Sequence, residues 1–247
     1  MRDDLLDAQA ALIWAETQIP LLQQGFIEWQ RANPYPVIQE PHPDGAGDAA
    51  IVYDQPFPLT FNAWVGAIIN SLRSSLDLIA AALAIRNGKN PDAHTHFPIF
   101  RCLLDFIDPL TGIESIKWLS PRERAAIKAF KPYQGGDAVL WPLHRLDILR
   151  KHQRLVIAKP QVDGYLMVGT RHMVIGGAKI IERLENKTVL FRLGAGERLG
   201  AAQGNTLLAV FITFNEAAAG LADHEVAAVL RDFAIRVTDV LYEIDRL

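Results

Sequence analysis

Hydrophobic positions recur at two different periods along this chain, and the change of period divides it. From residue 3 to 31, Leu5, Ala8, Leu12, Ala15, Ile19, Leu22, Phe26 and Trp29 step by three and four, which predicts a helix with one apolar stripe. Pro20 lies inside the pattern and removes a backbone donor, so a kink or split is expected there. Asn33-Pro34-Tyr35-Pro36 stops the run. Residues 34–60 hold six of the 14 prolines and read as extended loop with one short strand, Ala50 to Tyr53. A second helix is predicted from about Asn62 to Arg86, with Asn87-Gly88 as its C-terminal stop. Residues 89–112 read as loop. Ser120-Pro121-Arg122-Glu123 is a capping box with proline at the first helical position, and starts a third helix that ends near Lys131-Pro132. A fourth helix is predicted over about 138–153, with Pro142 in or near its first turn.

After Arg154 the period shortens. Leu155-Val156-Ile157, Tyr165 to Val168, His172 to Ile175, Lys179-Ile180-Ile181 and Val189-Leu190-Phe191 are β-rich runs separated by Gly, Asp or Asn, the pattern of an antiparallel meander. Thr206 to Phe214 is apolar at both parities, as in a strand covered on both faces. A last helix follows Asp223 as N-cap, with Val226, Val229, Leu230, Phe233, Val237, Val240, Leu241 and Ile244 on one stripe. The fold class expected is therefore α+β: a bundle of about five helices with an antiparallel sheet inserted before the C-terminal helix. The chain is expected to form one domain, with a helical part at 1–154 and 215–247 and a β-rich part at 155–214 that the strand near 50–54 joins. The last helix should return onto the first two. The stripe of the first helix is also compatible with pairing between two copies, so a homodimer is expected.

Composition changes this picture little. Half of the residues are hydrophobic and 21% are charged, which excludes a disordered tail or a disulfide miniprotein. A net charge of −3 gives no overall pull toward nucleic acid or an anionic membrane. Cys102 is the single cysteine, so no internal disulfide forms and a reducing, cytoplasmic setting is expected. The apolar run Ala63 to Ile85 is long enough to span a bilayer, but Asn70, Arg73 and Asp77 sit near its middle, where charge is costly in lipid. It reads as a buried core helix, with no membrane partner. No cofactor motif and no metal set emerge. Asp92-Ala93-His94-Thr95-His96 reads as a surface loop, Gly194-Ala195-Gly196 as a hairpin loop, and Cys102 as a small buried hydrophobe.

Polar residues on apolar helix faces are the candidate chemistry. On the second helix Asn62, Gly66, Asn70, Arg73 and Asp77 form a narrow stripe, with Arg73 and Asp77 spaced to pair. On the fourth, Trp141, Ile148, Leu149 and Leu155 define an apolar arc at about 100° per residue, and Arg145 and His152 fall inside it. Asp147, Lys151 and Arg154 fall on the opposite, solvated side. Burying either polar set alone is expensive, so the two stripes should face one another. Asp77 is then expected within reach of Arg145 or His152, with Arg73 completing the network. Arg145 and His152 are either a structural pair at a helix junction or a polar site in a cleft, and Asn70, Arg73 and Asp77 either fix helix register or orient a ligand.

The segments Leu72-Arg73-Ser74-Ser75-Leu76-Asp77, Phe97-Pro98-Ile99, Leu143-His144-Arg145-Leu146-Asp147 and Lys151-His152 resemble a family of bacterial proteins without an assigned activity. The resemblance covers residues 62–155 in motifs and the rest in layout. Leu78 stands where that family often has His after the Asp, and Arg150 where it often has Asp before Lys-His. A catalytic role for either family residue would leave this chain impaired. Arg145 followed after six residues by His152 is also similar to the motif of HEPN-type helical domains, many of which are metal-independent ribonucleases. That resemblance implies His152 as the acid and base at a 2′-hydroxyl, Arg145 as the stabiliser of phosphorane charge, and RNA as the partner. Leu146 departs from it, since a polar residue usually follows the Arg. Two functions are thus expected: a ligand- or partner-binding protein with a buried polar cluster, or an HEPN-like ribonuclease.

Overall fold

Stripe spacing and end signals account for the long helices. The computed structural model describes residues 1–52, 56–156, 158–168, 173–174, 180–184, 187–197 and 206–247. The fold is α+β, and the chain divides into two compact units: a helical one of Met1–Gln24, Leu59–Ala158 and Phe214–Leu247, and a β-rich one of Gly25–Pro58 and Lys159–Thr213.

In the helical unit a 3-10 turn at Asp3–Leu5 leads into α1 (Leu6–Ala32), whose last residues belong to the β-rich unit. The stripe from Leu5 to Phe26 is buried throughout. It is thus occupied within the chain. Helix α1 runs through Pro20 without a break, so of the expected kink or split the split does not occur. Buried Ile19 and Leu22 on either side hold both halves against one core, which offsets the single missing backbone bond.

Helix α2 (Leu59–Arg86) starts three residues before Asn62. Ser71 and Ser75 donate to the Ala11 and Ala8 carbonyls, each at 2.8 Å, and tie it to α1. It ends as expected: Gly88 takes φ +70°, Lys89 N–H donates to Ala84 O at 2.9 Å, and Gly88 N–H to Ile85 O at 3.0 Å. By length and composition α2 could cross a membrane, yet 61% of its most apolar window is buried inside the protein.

The segment expected as loop, 89–112, holds a one-turn helix, α3 (Leu103–Ile107), and a second, α4 (Gly112–Ile116), starts at its last residue and continues into a stretch for which no element was expected. Five residues are too few to show a helical period, so the sequence hides them. They approach so closely that a Cβ on Gly112 would lie 1.9 Å from the Phe106 carbonyl oxygen. Cys102 precedes α3 and is half-buried.

Helix α5 (Pro121–Ala129) carries the expected capping box, with Glu123 N–H on Ser120 Oγ at 3.3 Å and Ser120 N–H on Glu123 Oε2 at 2.8 Å. Helix α6 (Leu140–His152) is capped by Asp137, whose Oδ1 accepts from Val139 and Leu140 N–H at 2.8 and 2.7 Å. Pro142 sits in the first turn, where no intrahelical acceptor is lost. Helix α7 (Val226–Asp245) packs on α2, and it bonds to α1 through Arg231–Gln23 and Thr238–Glu16. Asp223 does not cap it. Glu225 precedes the helix, and Asp223 instead holds a left-handed φ of 65° with its N–H on Phe214 O.

The β-rich unit has two sheets. One has the order β1 (Val37–Pro41), β2 (Gly47–Val52), β6 (Lys187–Leu193), β5 (Glu182–Arg183). The other has the order β4 (Met173–Val174), β3 (Ala158–Val168), β7 (Thr206–Phe214). The strand expected near 50–54 is β2, paired antiparallel to β6; Tyr53 and Asp54 lie outside the described residues. Strand β1 was not expected, because prolines surround it. It is an edge strand with Pro41 last, where a missing donor costs no ladder bond. Leu155 and Val156 are not strand residues. Strand β3 starts at Ala158 and includes Pro160, upstream of the β3–β4 ladder at Met167 and Val168. Ile180 and Ile181 precede β5 rather than form a strand, while His172, Ile175 and Lys179 lie outside the described residues. Strand β7 has the expected bounds, but Phe211 is exposed, so the cover on both faces fails at that position. Tyr35, Ile51, Val162 and Leu190 form the core of this unit.

Candidate functional site

Helices α2 and α6 run antiparallel in the helical unit, and a polar seam lies between them. Along α2 the stripe reads Asp77, Arg73, Asn70, Gly66, Asn62, as the sequence indicated. Its partners downstream are His144, Arg150 and Ala158, in that order. Arg73 Nε donates to His144 Nδ1 at 3.2 Å. Arg150 Nη2 donates to Asn70 Oδ1 at 2.7 Å and lies 3.4 Å from Asp147 Oδ1. A Cβ on Gly66 would lie 2.7 Å from Arg150 Cδ. Asn62 Oδ1 accepts from Ala158 N–H at 3.1 Å.

The stripes therefore meet, but α6 presents a different face from the expected one. Asp147 is buried at 3% exposure, not solvated, and Lys151 Nζ sits 2.6 Å from its Oδ2. Arg145 is half-buried and His152 exposed. Neither makes a hydrogen bond or ion pair among the described residues, so Asp77 meets His144's neighbour Arg73 and not Arg145 or His152. Arg154 is 44% exposed and grips Glu216 at 2.8 and 3.0 Å.

The deepest node is built on Arg73, which is 4% exposed. Besides His144 it bonds Asp77 Oδ1 through Nη1 and the Phe97 carbonyl through Nη2 at 3.0 Å. Asp77 Oδ1 also accepts from Phe97 N–H at 2.9 Å, and His96 Nδ1 lies 3.7 Å away. Both backbone groups of Phe97 are thus clamped by one ion pair on α2. Asp92 closes the preceding turn, its Oδ1 accepting from His94 N–H at 2.9 Å.

A cleft of about 380 Å³ opens above this node. Phe97, Pro98, Ile99, Phe100 and Ile148 form its apolar wall, and Arg73, Asp77, His94, His96, Ser115, His144, Asp147, Lys151 and His152 its polar lining. Side chains from α2, the 94–100 segment, α4 and α6, distant in sequence, converge here. Arg145 and Asn70 do not line the cleft. His94 and His96 are exposed on the expected surface loop, yet the Asp77–Phe97 bond brings them to the cleft, and no local pattern announces a contact across 20 residues. Like Asp147 and Lys151, His144, beside Arg145 in sequence, is a cleft residue that the expected α6 arc leaves out. Burial, and next the charge of Arg73, push its pKa down to about 4, so the ring is neutral at neutral pH.

Each carboxylate in the cleft already faces a cation, Asp77 with Arg73 and Asp147 with Lys151. The cleft imidazoles and Lys151 add hydrogen-bond donors beside them. Among the described residues no group of three or more His, Cys, Asp and Glu side chains is arranged to hold a metal ion. Comparison with family models, curated proteins and solved structures finds no match to the chain.

Proposed function

We propose that the protein binds a small ligand carrying a carboxylate or phosphate group in the cleft between α2, α6 and the 92–100 segment. The observation that carries this is four imidazoles, His94, His96, His144 and His152, lining one cleft together with Lys151. Its volume of about 380 Å³ suits a small molecule, and an apolar wall opposite a few fixed polar groups is the usual form of such sites. With both carboxylates neutralised by cations, acceptor oxygens on a ligand find donors and little repulsion. Equilibrium titration of the full chain with inorganic phosphate and with acetate tests this. Saturable binding of either, weakened by His152→Ala, supports it; no saturable binding of either overturns it.

A second reading, an HEPN-like ribonuclease, draws on His152, which stands exposed at the cleft where a substrate hydroxyl can reach it. Arg145 lies outside the lining, so Lys151 is the cation in the cleft nearest in sequence for phosphorane charge. Incubation with an RNA oligonucleotide in excess chelator separates the two: cleavage lost in His152→Ala favours the enzyme, and intact RNA favours the binding protein.

A further inference from the structure

His144 is the one imidazole in the cleft whose protonation geometry is fixed by its partner. Its Nδ1 faces Arg73 Nε at 3.2 Å, and a guanidinium N–H can only donate. Nδ1 must therefore keep its lone pair, and the ring proton must sit on Nε2. A doubly protonated ring would set N–H against N–H at this contact. Arg73 cannot turn away to relieve it, because Nη1 and Nη2 are held by Asp77 and the Phe97 carbonyl. Nε2 has no protein partner among the described residues. It is also not one of the fully buried polar atoms left without a partner, which are elsewhere in the chain. It is therefore reachable from the cleft that the ring lines.

We propose that His144 is an Nε2–H donor that grips an unprotonated oxygen of the ligand, with Arg73 as the residue that positions it. This rests on the cleft being a ligand site, and it adds which atom reads the ligand and what that atom demands. The demand is an acceptor oxygen, as on a carboxylate or phosphate; a group that can only donate, such as an ammonium, finds no acceptor at this atom. Burial and the charge of Arg73 act in the same direction, holding the ring neutral down to about pH 4. The groups around it are Arg73 and Asp77 from α2, His94 and His96 from the turn, and Arg145, Asp147, Lys151 and His152 from its own helix. Asp77 is the carboxylate that would favour a charged ring, and Arg73 engages it first.

The test is a long-range proton–nitrogen correlation spectrum of the ¹⁵N-labelled full chain, with His144→Gln assigning the ring. The expected result is a bare Nδ1 and a protonated Nε2 that do not titrate between about pH 5 and about pH 8, where a free imidazole does. Adding inorganic phosphate or acetate should shift Nε2 saturably. A proton on Nδ1, or titration inside that window, overturns the donor assignment whether or not the cleft binds. Shifts at the other cleft imidazoles without one at His144 Nε2 leave the binding site standing and overturn this proposal. No shift at any cleft imidazole, with either anion, overturns both. Arg73→Lys keeps a charge for Asp77 but loses the Nε contact, and should release the ring to a mixture of tautomers. An unchanged ring there contradicts the positioning role, and if that variant does not fold, the wild-type spectrum alone still decides.

Discussion

The α2–α6 seam contains two polar nodes that differ in what they leave unsatisfied. At the Arg73 node the guanidinium is saturated on three sides, while the unpartnered His144 nitrogen faces the cleft. At the Arg150 node the arginine reaches Asn70 and Asp147, and its buried Nε is left without a partner among the described residues. The first node spends its internal bonds on orientation and turns its spare capacity outward. The second fills space against Gly66 and turns its spare capacity inward, where no ligand arrives. Within one seam, then, the proposed binding rests on the node whose free donor meets a cavity, and the other node packs inside the seam.

Removing an acid from the first node should have the largest effect. Asp77→Ala strands Arg73, a cation 4% exposed, and should cost about 3–5 kcal/mol in urea unfolding. An unchanged midpoint would show that the node is not a closed pair. Next comes pH. Below its ordinary value of 6.5 the unfolded chain protonates at His144, while the folded chain resists until about pH 4. The unfolded state binds more protons in that window, so stability falls as pH drops from 6.5 to about 4. The loss should reach about 3 kcal/mol at most, and wild type minus His144→Gln isolates it. Parallel pH profiles for the two proteins would contradict the buried neutral ring.

The second node should respond sterically. Gly66→Ala places a methyl on Arg150 Cδ, and crowding of about 1–3 kcal/mol outweighs the gain of about 1 kcal/mol in helix propensity. In an Arg150→Ala background the same change should become neutral or stabilising. A cost that persists there would mean that Arg150 is not what occupies the space. Ser120→Ala, remote from both nodes, should lose about 1 kcal/mol through the broken capping box and leave anion binding untouched, as calorimetry would show.

The α2 stripe is legible in the sequence because polar residues on an apolar cylinder must find partners on whatever packs against them. The α6 face that meets α2 lies about one position from where its sequence pattern puts it, 144 for 145, while Lys151 joins the expected His152 at the cleft. The expected arc centres on Trp141 and Ile148, which are only half-buried, and on Leu155, which lies beyond the helix and is 40% exposed. Asp147 hides its burial because two of its cations, Arg150 and Lys151, lie on its own helix and make that face look solvated. The capping box at Ser120 and the Gly88 stop are readable because their chemistry is local. The histidine turn is not, since its place is set by bonds to Asp77, far away in the chain. Strand β1 is masked by prolines that an edge tolerates.

The most direct measurement is a pair of binding isotherms for inorganic phosphate, one with wild type and one with His144→Gln. The cleft site with a His144 donor predicts saturable one-to-one binding by wild type. The variant should bind about tenfold weaker or worse, as expected for losing a hydrogen bond to a charged acceptor. Equal affinity in the two proteins would contradict it.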